Sequence, residues 1–492
     1  MLIKKLIIIL SILLFSAKSF AYTETFYVRA DGTGGSPQTS CATAGSYDRA
    51  DFINGTNWDT DDANDGKIGP NDVVYLCDDG GNFAGDMDPP ANKNGLAGKP
   101  ITIMAYPGES PIISGGTNGM ELQSSYLSFY NFRITAADNT NFYGNNNTYA
   151  INNIIIEGME IDNSATGQGI YAGGATNGAS NWEIRGNYIH DNGVDTQYDH
   201  GMYLYDADNV IVEKNYVVDN AAWGIHFHGG MDDGVARYNL VVRNGSQSNA
   251  AQNGGGMDII YDAQTCDNNA FYGNVLIDNN VGIAIATGTA SSPTNCYIYN
   301  NTVVNSWWAG FDSWGATADA GLVTNNIFWG TRRANANEDV FSPGSDLVFT
   351  SNYNIIGPEA SGFIDRGGHV YDTLAAYQAD WDGDPHAAND QNSIKTDPSF
   401  TTEPTDFSLR SDSPAKGAGA DLGNGLLYGL DPTSTWVDNV KAVDQDSYGD
   451  WEIGAYAYIE AAELGGPGTI VGGGSGSIAG GGSGSIIGTP AE

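Results

Sequence analysis

The sequence has few basic residues, few cysteines, and no long apolar segment beyond its N-terminus. Lysine and arginine together number 20 among 492 residues, against 59 aspartates and glutamates, which gives a formal net charge of −39. Nucleic-acid binding relies on clusters of basic side chains that neutralise phosphates, so this composition argues against such a partner. We also expect no membrane insertion. Apolar residues at 41% and aromatic residues at 11% argue against disorder.

Residues 1–21 have the pattern of a secretory signal peptide. Lys4 and Lys5 precede the apolar run Leu6–Phe15, and Ser19–Ala21 supplies a small-x-small cleavage site. Cleavage would remove three lysines and no acid, so the mature charge becomes −39 − 3 = −42. We therefore expect a secreted monomer in the extracellular space, in the periplasm or on the cell surface.

Only four cysteines are present, and an even number in an exported chain favours disulfides. A Cys41–Cys77 bond would staple the N-terminal region, and a Cys266–Cys296 bond would join successive turns of a repeat. Four cysteines allow three pairings, so this pairing is a preference.

An asparagine recurs at steps of 28, 24, 35, 27, 25 and 26 residues, at Asn187, Asn215, Asn239, Asn274, Asn301, Asn326 and Asn352. A short strand with two-residue alternation precedes each asparagine, and apolar residues follow it. Such a period is typical of stacked coils. We interpret the asparagines as a buried structural ladder in which each amide bonds the next.

A third strand in each coil begins with glycine, at Gly169, Gly201, Gly224, Gly256, Gly282 and Gly310. The first and third residues after most of these glycines are apolar and should point into the core. The layout predicts a cap with the first coils at 22–120, repeats at 121–357, a closing segment at 358–463 and a flexible Gly/Ser-rich tail at 464–492. A short amphipathic helix is predicted within Tyr371–Trp381.

The stretch Asp199–Gly229, DHGMYLYDADNVIVEKNYVVDNAAWGIHFHG, resembles the right-handed parallel β-helix repeats of the pectate-lyase-like superfamily. Asp397–Phe400, Asp406–Gly419 and Asp450–Tyr458 are similar to the segment that closes many secreted members. The resemblance covers about residues 100–460. It implies an all-β, single-stranded right-handed parallel β-helix with an N-terminal cap and an irregular C-terminal closing segment. It also implies a polysaccharide partner, since members cleave, epimerise, hydrolyse or only bind polysaccharides.

The second and fourth residues after each glycine should face outward on neighbouring rungs. This register places Tyr203, His226 and Asp258 side by side, with His200 and His228 beside them, and these five are the candidate catalytic residues. The candidate substrate-binding residues flank them: Asp199, Tyr205, Asp206, Trp223, Asp312 and Trp314. A loop inserted at Ser246–Asn253 would build a wall beside this patch.

A tyrosine and histidine pair suits β-elimination, in which one group takes the C5 proton of a uronic acid and another protonates the leaving oxygen. A cation such as calcium would neutralise the substrate carboxylate. Several members of the superfamily use Lys or Arg as base, and neither occupies these rungs. Three alternatives stay open: hydrolysis by paired carboxylates from Asp199, Asp206 or Asp258, epimerisation, and glycan binding without catalysis.

Two acidic loops have two interpretations, as solvated turns or as calcium sites. The first holds Asp59, Asp61, Asp62, Asn64 and Asp65, and the second holds Asp444, Asp446 and Asp450. The alternating charges of Glu157, Arg185, Glu213 and Arg237 predict a salt-bridge ladder across coils.

Overall fold

The computed structural model describes residues 24–460 except 34–36, 43–45, 146–147, 150, 175–177, 246–253, 262–265, 288–294, 315–317, 332–339, 344–346, 360–361, 363, 367–368, 381–389, 424–427 and 438. The predicted signal peptide, the Gly/Ser tail and the Ser246–Asn253 loop lie outside the described residues. In the part of the chain that is described, no helix has the length and hydropathy needed to cross a membrane.

The chain forms a single-stranded right-handed parallel β-helix with three sheets, as the sequence predicts. Sheet 1 runs through Thr25–Arg29, Val73–Cys77, Ile101–Ala105, Leu127–Tyr130, Asn152–Glu157, Ala179–Arg185, Ile211–Glu213, Val235–Arg237, Ala270–Tyr272, Tyr297–Tyr299, Ala318–Thr324 and Leu347–Asn352, with Ala207–Asp208 beside Ala179–Arg185. Sheet 2 runs through Phe83–Ala84, Ile112–Ser114, Arg133–Thr135, Glu160–Asp162, Tyr188–His190, Tyr216–Val218, Leu240–Val242, Val275–Ile277, Thr302–Ser306, Ile327–Thr331 and Ile355–Gly357.

Sheet 3 contains the glycine-initiated strands. It runs through Met120–Glu121, Phe142–Asn145, Ile170–Gly173, Met202–Tyr205, Ile225–His228, Gly255–Tyr261, Val281–Thr287, Ala309–Trp314, Phe341–Ser342, Ile364–Arg366 and His369–Tyr371, of which only the last pair is antiparallel among the described strands. The predicted inward positions, such as Met202, Leu204, Ile225 and Phe227, are fully buried. Sheet 3 therefore turns its other side chains outward.

The predicted asparagine ladder is present, with one error at its end. Each amide Nδ2 donates to the Oδ1 of the next asparagine, and the last acceptor is Asn354. The prediction of Asn352 is wrong, because that side chain accepts from the backbone of Tyr353 and Asn392 instead. A residue with positive φ precedes every ladder asparagine, and at this coil that residue is Tyr353, at 53°. The last step is therefore two residues longer than expected.

A second ladder, which the sequence interpretation missed, runs beside the glycine-initiated strands through Asn141, Asn192, Asn220, Asn244 and Asn279. It explains why those strands begin with glycine. A Cβ at Gly201 would lie 2.6 Å from the carbonyl oxygen of Gly224 and 2.9 Å from Nδ2 of Asn220. The ladder and the glycines together hold the coils in register at the start of sheet 3.

Both ends of the interior are covered by short helical segments. Near the N-terminus, the helix Arg49–Phe52 and the 3-10 turn Gly55–Asn57 precede Trp58, whose Nε1 donates to the carbonyl of Phe52 at 2.6 Å. At the other end, the helix Leu374–Ala379 falls within the predicted segment and buries Leu374 and Tyr377. These aromatic and apolar side chains belong to the same continuous core as the coils, so they seal it from water.

The closing segment packs along one side of the solenoid. It contains two antiparallel pairs, Phe400–Thr402 with Asp406–Leu409 and Tyr428–Leu430 with Ala442–Asp444, and the 3-10 turn Gln445–Ser447. Its apolar residues form a second core with outward side chains of sheets 1 and 2, among them Tyr272, Val275 and Ile327. The segment thus covers the side away from sheet 3, whose outer face remains for other contacts.

One of the two predicted disulfides is present. Cys41 and Cys77 are bonded, with Cα atoms 5.9 Å apart. The Cys266–Cys296 prediction is wrong, since both thiols are free and buried. Stacked residues on adjacent coils point the same way at roughly 4.8 Å, whereas a disulfide needs Cβ atoms about 3.5–4.5 Å apart. The Cys266 sulfur instead accepts a hydrogen bond from Asn269.

The predicted salt-bridge ladder is present on the outer face of sheet 1 as two separate cross-coil ion pairs. Glu157, Arg185, Glu213 and Arg237 occupy paired positions on successive strands. Arg185 contacts Glu157 at 2.8 Å, and Arg237 contacts Glu213 at 2.7 Å. These ion pairs therefore link successive coils of sheet 1.

Candidate functional site

The outer face of sheet 3 brings the candidate catalytic residues onto neighbouring rungs. Tyr203 pairs with His226, and His226 pairs with Asp258 on the next strand. Tyr205 pairs with His228 in the same strands. The register predicted from the repeat is therefore present, and it places a phenol, an imidazole and a carboxylate in one row.

His226 and Asp258 form a buried dyad. Nδ1 of His226 lies 2.7 Å from Oδ1 of Asp258, and the two side chains are 4% and 0% exposed. Burial raises the pKa of Asp258 well above its ordinary value and lowers the pKa of His226 to about 3. Both shifts disfavour ions, so the pair favours a state in which neither member is charged. Among the described residues, the ring of His226 makes no other hydrogen bond, which leaves Nε2 for a ligand.

His200 lies behind the dyad. Its ring stacks on His226, with centroids 4.2 Å apart and planes 6° apart. Its Nδ1 accepts the backbone N–H of Trp223 at 3.2 Å, which requires the proton to be on Nε2. Burial holds the pKa of His200 well below its ordinary value, so the ring is neutral. We therefore place His200 as a support that fixes the plane of the His226 ring.

Aromatic rings continue from His226 along the sheet. Tyr203 lies over His226 at 5.1 Å between centroids, and His228 lies 5.3 Å from Tyr203. In the other direction Tyr171 stacks on Tyr203 at 5.3 Å, and Tyr143 follows at 5.1 Å. The three tyrosines are half-buried, so each exposes part of its ring on this face.

On the far side of the dyad, the row continues as Asp258, Ala284 and Asp312. All three are buried, although their side chains point out of the solenoid. Ala284 belongs to a small apolar cluster, in which Trp308 and Trp314 pack against Trp223, Val281 and Ala284. Asp258 Oδ2 has no hydrogen-bond partner among the described residues. This half of the row is thus closed, whereas the tyrosine half is open.

The candidate substrate-binding residues divide into two groups. Tyr205 and Trp314 lie at partly exposed positions of the outer face. Asp199 is buried, and its Oδ2 accepts the backbone N–H groups of Val194 and Asp195, so this side chain supports a loop. Trp223 is buried in the cluster. Asp206 is partly exposed next to Tyr205 in the chain, and burial together with Asp232 raises its pKa.

The site does not fit a resident calcium ion. Calcium takes 6–8 oxygen ligands, whereas the described part of the row offers Asp258 and, two rungs away, Asp312. Elsewhere, Glu160, Asp162 and His190 converge, but Arg133 already contacts Asp162 at 2.6 Å and Glu160 at 3.5 Å. The described residues of the row therefore supply too few oxygen ligands for calcium by themselves.

The candidate site residues left out four residues of this face, Tyr143, Tyr171, Ala284 and Trp308, although the sequence places Tyr171 and Ala284 in the same outward row. Three of them follow from the same register, since Tyr171 and Ala284 are second residues after a repeat glycine and Tyr143 pairs with Tyr171. Trp308 precedes its strand, so the rung pattern gives no signal for it.

No protein-family profile and no curated protein sequence matches the chain. Among solved structures, the chain is similar to pectate lyase Pel9A, at 13% identity and a TM-score of 0.48, over 89% of this chain and 97% of that chain. An alginate lyase from Paenibacillus sp. str. FPU-7 matches at 17% identity and a TM-score of 0.44, over 63% and 96%. A rhamnogalacturonan lyase matches at 13% identity and a TM-score of 0.36, over 77% and 91%. The function is therefore argued from the side chains of this chain.

Proposed function

We propose that this protein is a secreted polysaccharide lyase that cleaves a uronic-acid glycan by β-elimination on the outer face of sheet 3. The observation that carries the proposal is the His226–Asp258 dyad beside the hydroxyl-bearing Tyr203. Elimination needs one group that takes a proton and a second that gives one. These three side chains supply both within one row.

The dyad acts as the base through Nε2 of His226. When Nε2 takes the C5 proton, the proton on Nδ1 moves to Asp258, and the dyad becomes uncharged. Burial favours this uncharged state, because it raises the pKa of Asp258 and lowers that of His226. The buried carboxylate therefore acts as a stronger base than an exposed one, and the imidazole relays its effect to the substrate.

Tyr203 acts as the acid. The bond between C4 and the glycosidic oxygen breaks as the C4–C5 double bond forms, and the Tyr203 hydroxyl protonates the leaving oxygen. The half-buried rings of Tyr171 and Tyr205 provide partly exposed aromatic surface for contact with sugar rings. Since the described residues place no Lys or Arg on these rungs, a cation bound to the glycan would neutralise its carboxylate.

A hydrolase is the second candidate, because Asp258 and Asp312 are two buried carboxylates two rungs apart. Two rungs span roughly 9.6 Å at the usual strand spacing, close to the roughly 6.5–9.5 Å between the carboxyl groups of inverting glycosidases. Hydrolysis would release products without a double bond.

The test is a panel of uronic-acid and neutral polysaccharides, incubated with purified protein with and without calcium. A lyase produces ultraviolet absorbance from the unsaturated sugar, and His226→Ala should abolish it. New reducing ends without this absorbance would indicate the hydrolase. Glycan binding without turnover on any substrate, retained in His226→Ala, would contradict both enzymes and favour a binding protein.

A further inference from the structure

We infer that the site acts on chain ends: the glycan lies along Tyr143, Tyr171 and Tyr203 and stops at a wall formed by Trp223, Trp308 and Trp314. This inference rests on the proposed function and specifies which part of the substrate the site accepts. It follows from the asymmetry of the row of outward side chains on the two sides of His226.

The open side offers a continuous aromatic track. Tyr143, Tyr171 and Tyr203 occupy the same position on three successive rungs. Their ring centroids are 5.1 Å and 5.3 Å apart, and all three remain half-buried. Because the rings stack on one another, sugar units would contact their outward edges and hydroxyl groups. The track therefore suits several consecutive sugar units that approach the dyad from one direction.

The closed side has no comparable track. Asp258 and Ala284 are 0% exposed and Asp312 is 1% exposed, although the pleat points all three away from the solenoid core. The small Ala284 leaves a recess in the row, and Trp308 and Trp314 pack against it together with Trp223. A glycan that passed His226 in this direction would meet the partly exposed indoles of Trp308 and Trp314, which fill the space over Ala284.

The closed side of the site determines the size of the products. A site that is open on both sides binds the middle of a chain and cuts at internal positions. A site closed directly beyond its base accepts only the terminal units there, so it releases short products of uniform length from a chain end. The indole wall would set that length.

The first measurement follows product size and solution viscosity during early turnover by the full-length protein. We expect short unsaturated oligosaccharides from the first minutes, with the polymer peak and the viscosity almost unchanged. A rapid fall in viscosity and a broad ladder of intermediate sizes would overturn the inference while leaving the proposed lyase intact.

Two variants with a matched control sharpen the test. Tyr143→Ala should raise KM for the polymer several-fold and leave KM for the shortest substrate unchanged, since only long chains reach that rung. Trp308→Ala should lengthen the products. The control, Tyr188→Ala, removes a tyrosine that stacks on Tyr216 in sheet 2, away from the site. It should change neither the KM values nor the length of the products. Equal effects of Tyr143→Ala on short and long substrates would contradict the track.

If the wild-type protein turns over no glycan, the proposed function fails, and binding stoichiometry still decides the inference. A glycan of defined length is titrated into the protein. Each glycan chain should bind one protein molecule if only a chain end enters the site. Several protein molecules bound to one glycan chain would show that internal segments of the glycan bind. This result would overturn the inference independently of catalysis.

Discussion

Replacement of Asn239 by alanine tests the internal ladder that holds the coils in register. Asn239 is fully buried and lies at the centre of the ladder. Its Oδ1 accepts the backbone N–H and the side-chain amide of Asn215, both at 3.0 Å. Its Nδ2 donates to the carbonyl of Val212 and to Oδ1 of Asn274, both at 2.9 Å. The alanine variant loses all four hydrogen bonds.

The cost follows from which groups are left without partners. The buried N–H of Asn215 loses its acceptor, which costs about 1–3 kcal/mol, and each of the other three bonds contributes about 1 kcal/mol net. We therefore expect the free energy of unfolding to fall by about 5 kcal/mol. Asn352→Ala is the matched control, because Asn352 is half-buried and accepts only two backbone N–H groups, from Tyr353 and Asn392. It should cost about 1–2 kcal/mol.

Urea denaturation followed by far-ultraviolet circular dichroism measures both variants under the same conditions. The expected result is a much larger loss for Asn239→Ala than for Asn352→Ala. Equal losses within about 1 kcal/mol would refute the reasoning, because they would mean that a buried amide ladder contributes no more than an ordinary turn contact.

Four further predictions concern the site and the disulfide. Asp258→Asn should lower kcat about 10²–10⁴-fold and remove the rise of the rate with pH, because the dyad must lose its proton before it can act as base; a rate profile identical to the wild type would contradict this role. The same variant should abolish a loss of stability as pH rises above ~6.5, because there the raised pKa of Asp258 gives the folded state a proton that the unfolded chain lacks, whereas at lower pH the lowered pKa of His226 offsets it; melting temperatures of variant and wild type that run parallel above pH ~6.5 would argue against it. Tyr203→Phe should keep the fold and glycan binding but lower kcat by about 10²-fold or more, as measured by product absorbance; an unchanged kcat would exclude Tyr203 as the acid. Reduction of Cys41–Cys77, which are separated by 36 positions, should cost about 4 kcal/mol of stability from loop closure alone, and thiol titration of the unreduced, denatured protein should find two free thiols.

The repeat made most of the fold predictable from the sequence. A fixed outward position after each glycine placed Tyr203, His226 and Asp258 on adjacent rungs, and the strand pairing agrees. The error at Asn352 arose because sequence spacing alone does not show which residue takes positive φ, and the structure assigns that conformation to Tyr353.

Burial on the outer face could not be predicted from the repeat. The rung pattern marks Asp258 and Asp312 as outward side chains, and outward positions are usually exposed. Both are nevertheless buried, and between them Ala284 packs in a cluster with tryptophans from different rungs and with a residue outside the pattern, Trp308. The pKa shifts of the dyad follow from that burial, so the sequence could name the reacting groups but could not show that their environment is desolvated.

The closing segment illustrates the same limit. Within the predicted closing segment, the interior end is covered by Leu374 and Tyr377 of the short helix, which precede the motifs. Later residues, such as Phe400 and Phe407, pack on the side of the coils. Apolar composition identifies residues that need to be buried, but it does not identify the surface that buries them.

The most direct test of the account compares wild-type protein and Asp258→Asn for the release of unsaturated products from uronic-acid glycans across pH. The account predicts absorbance from the wild-type protein that rises with pH, and a loss of about 10²–10⁴-fold in a variant that stays folded and still binds glycan. Unsaturated products formed at the same rate and with the same pH profile by both proteins would contradict it.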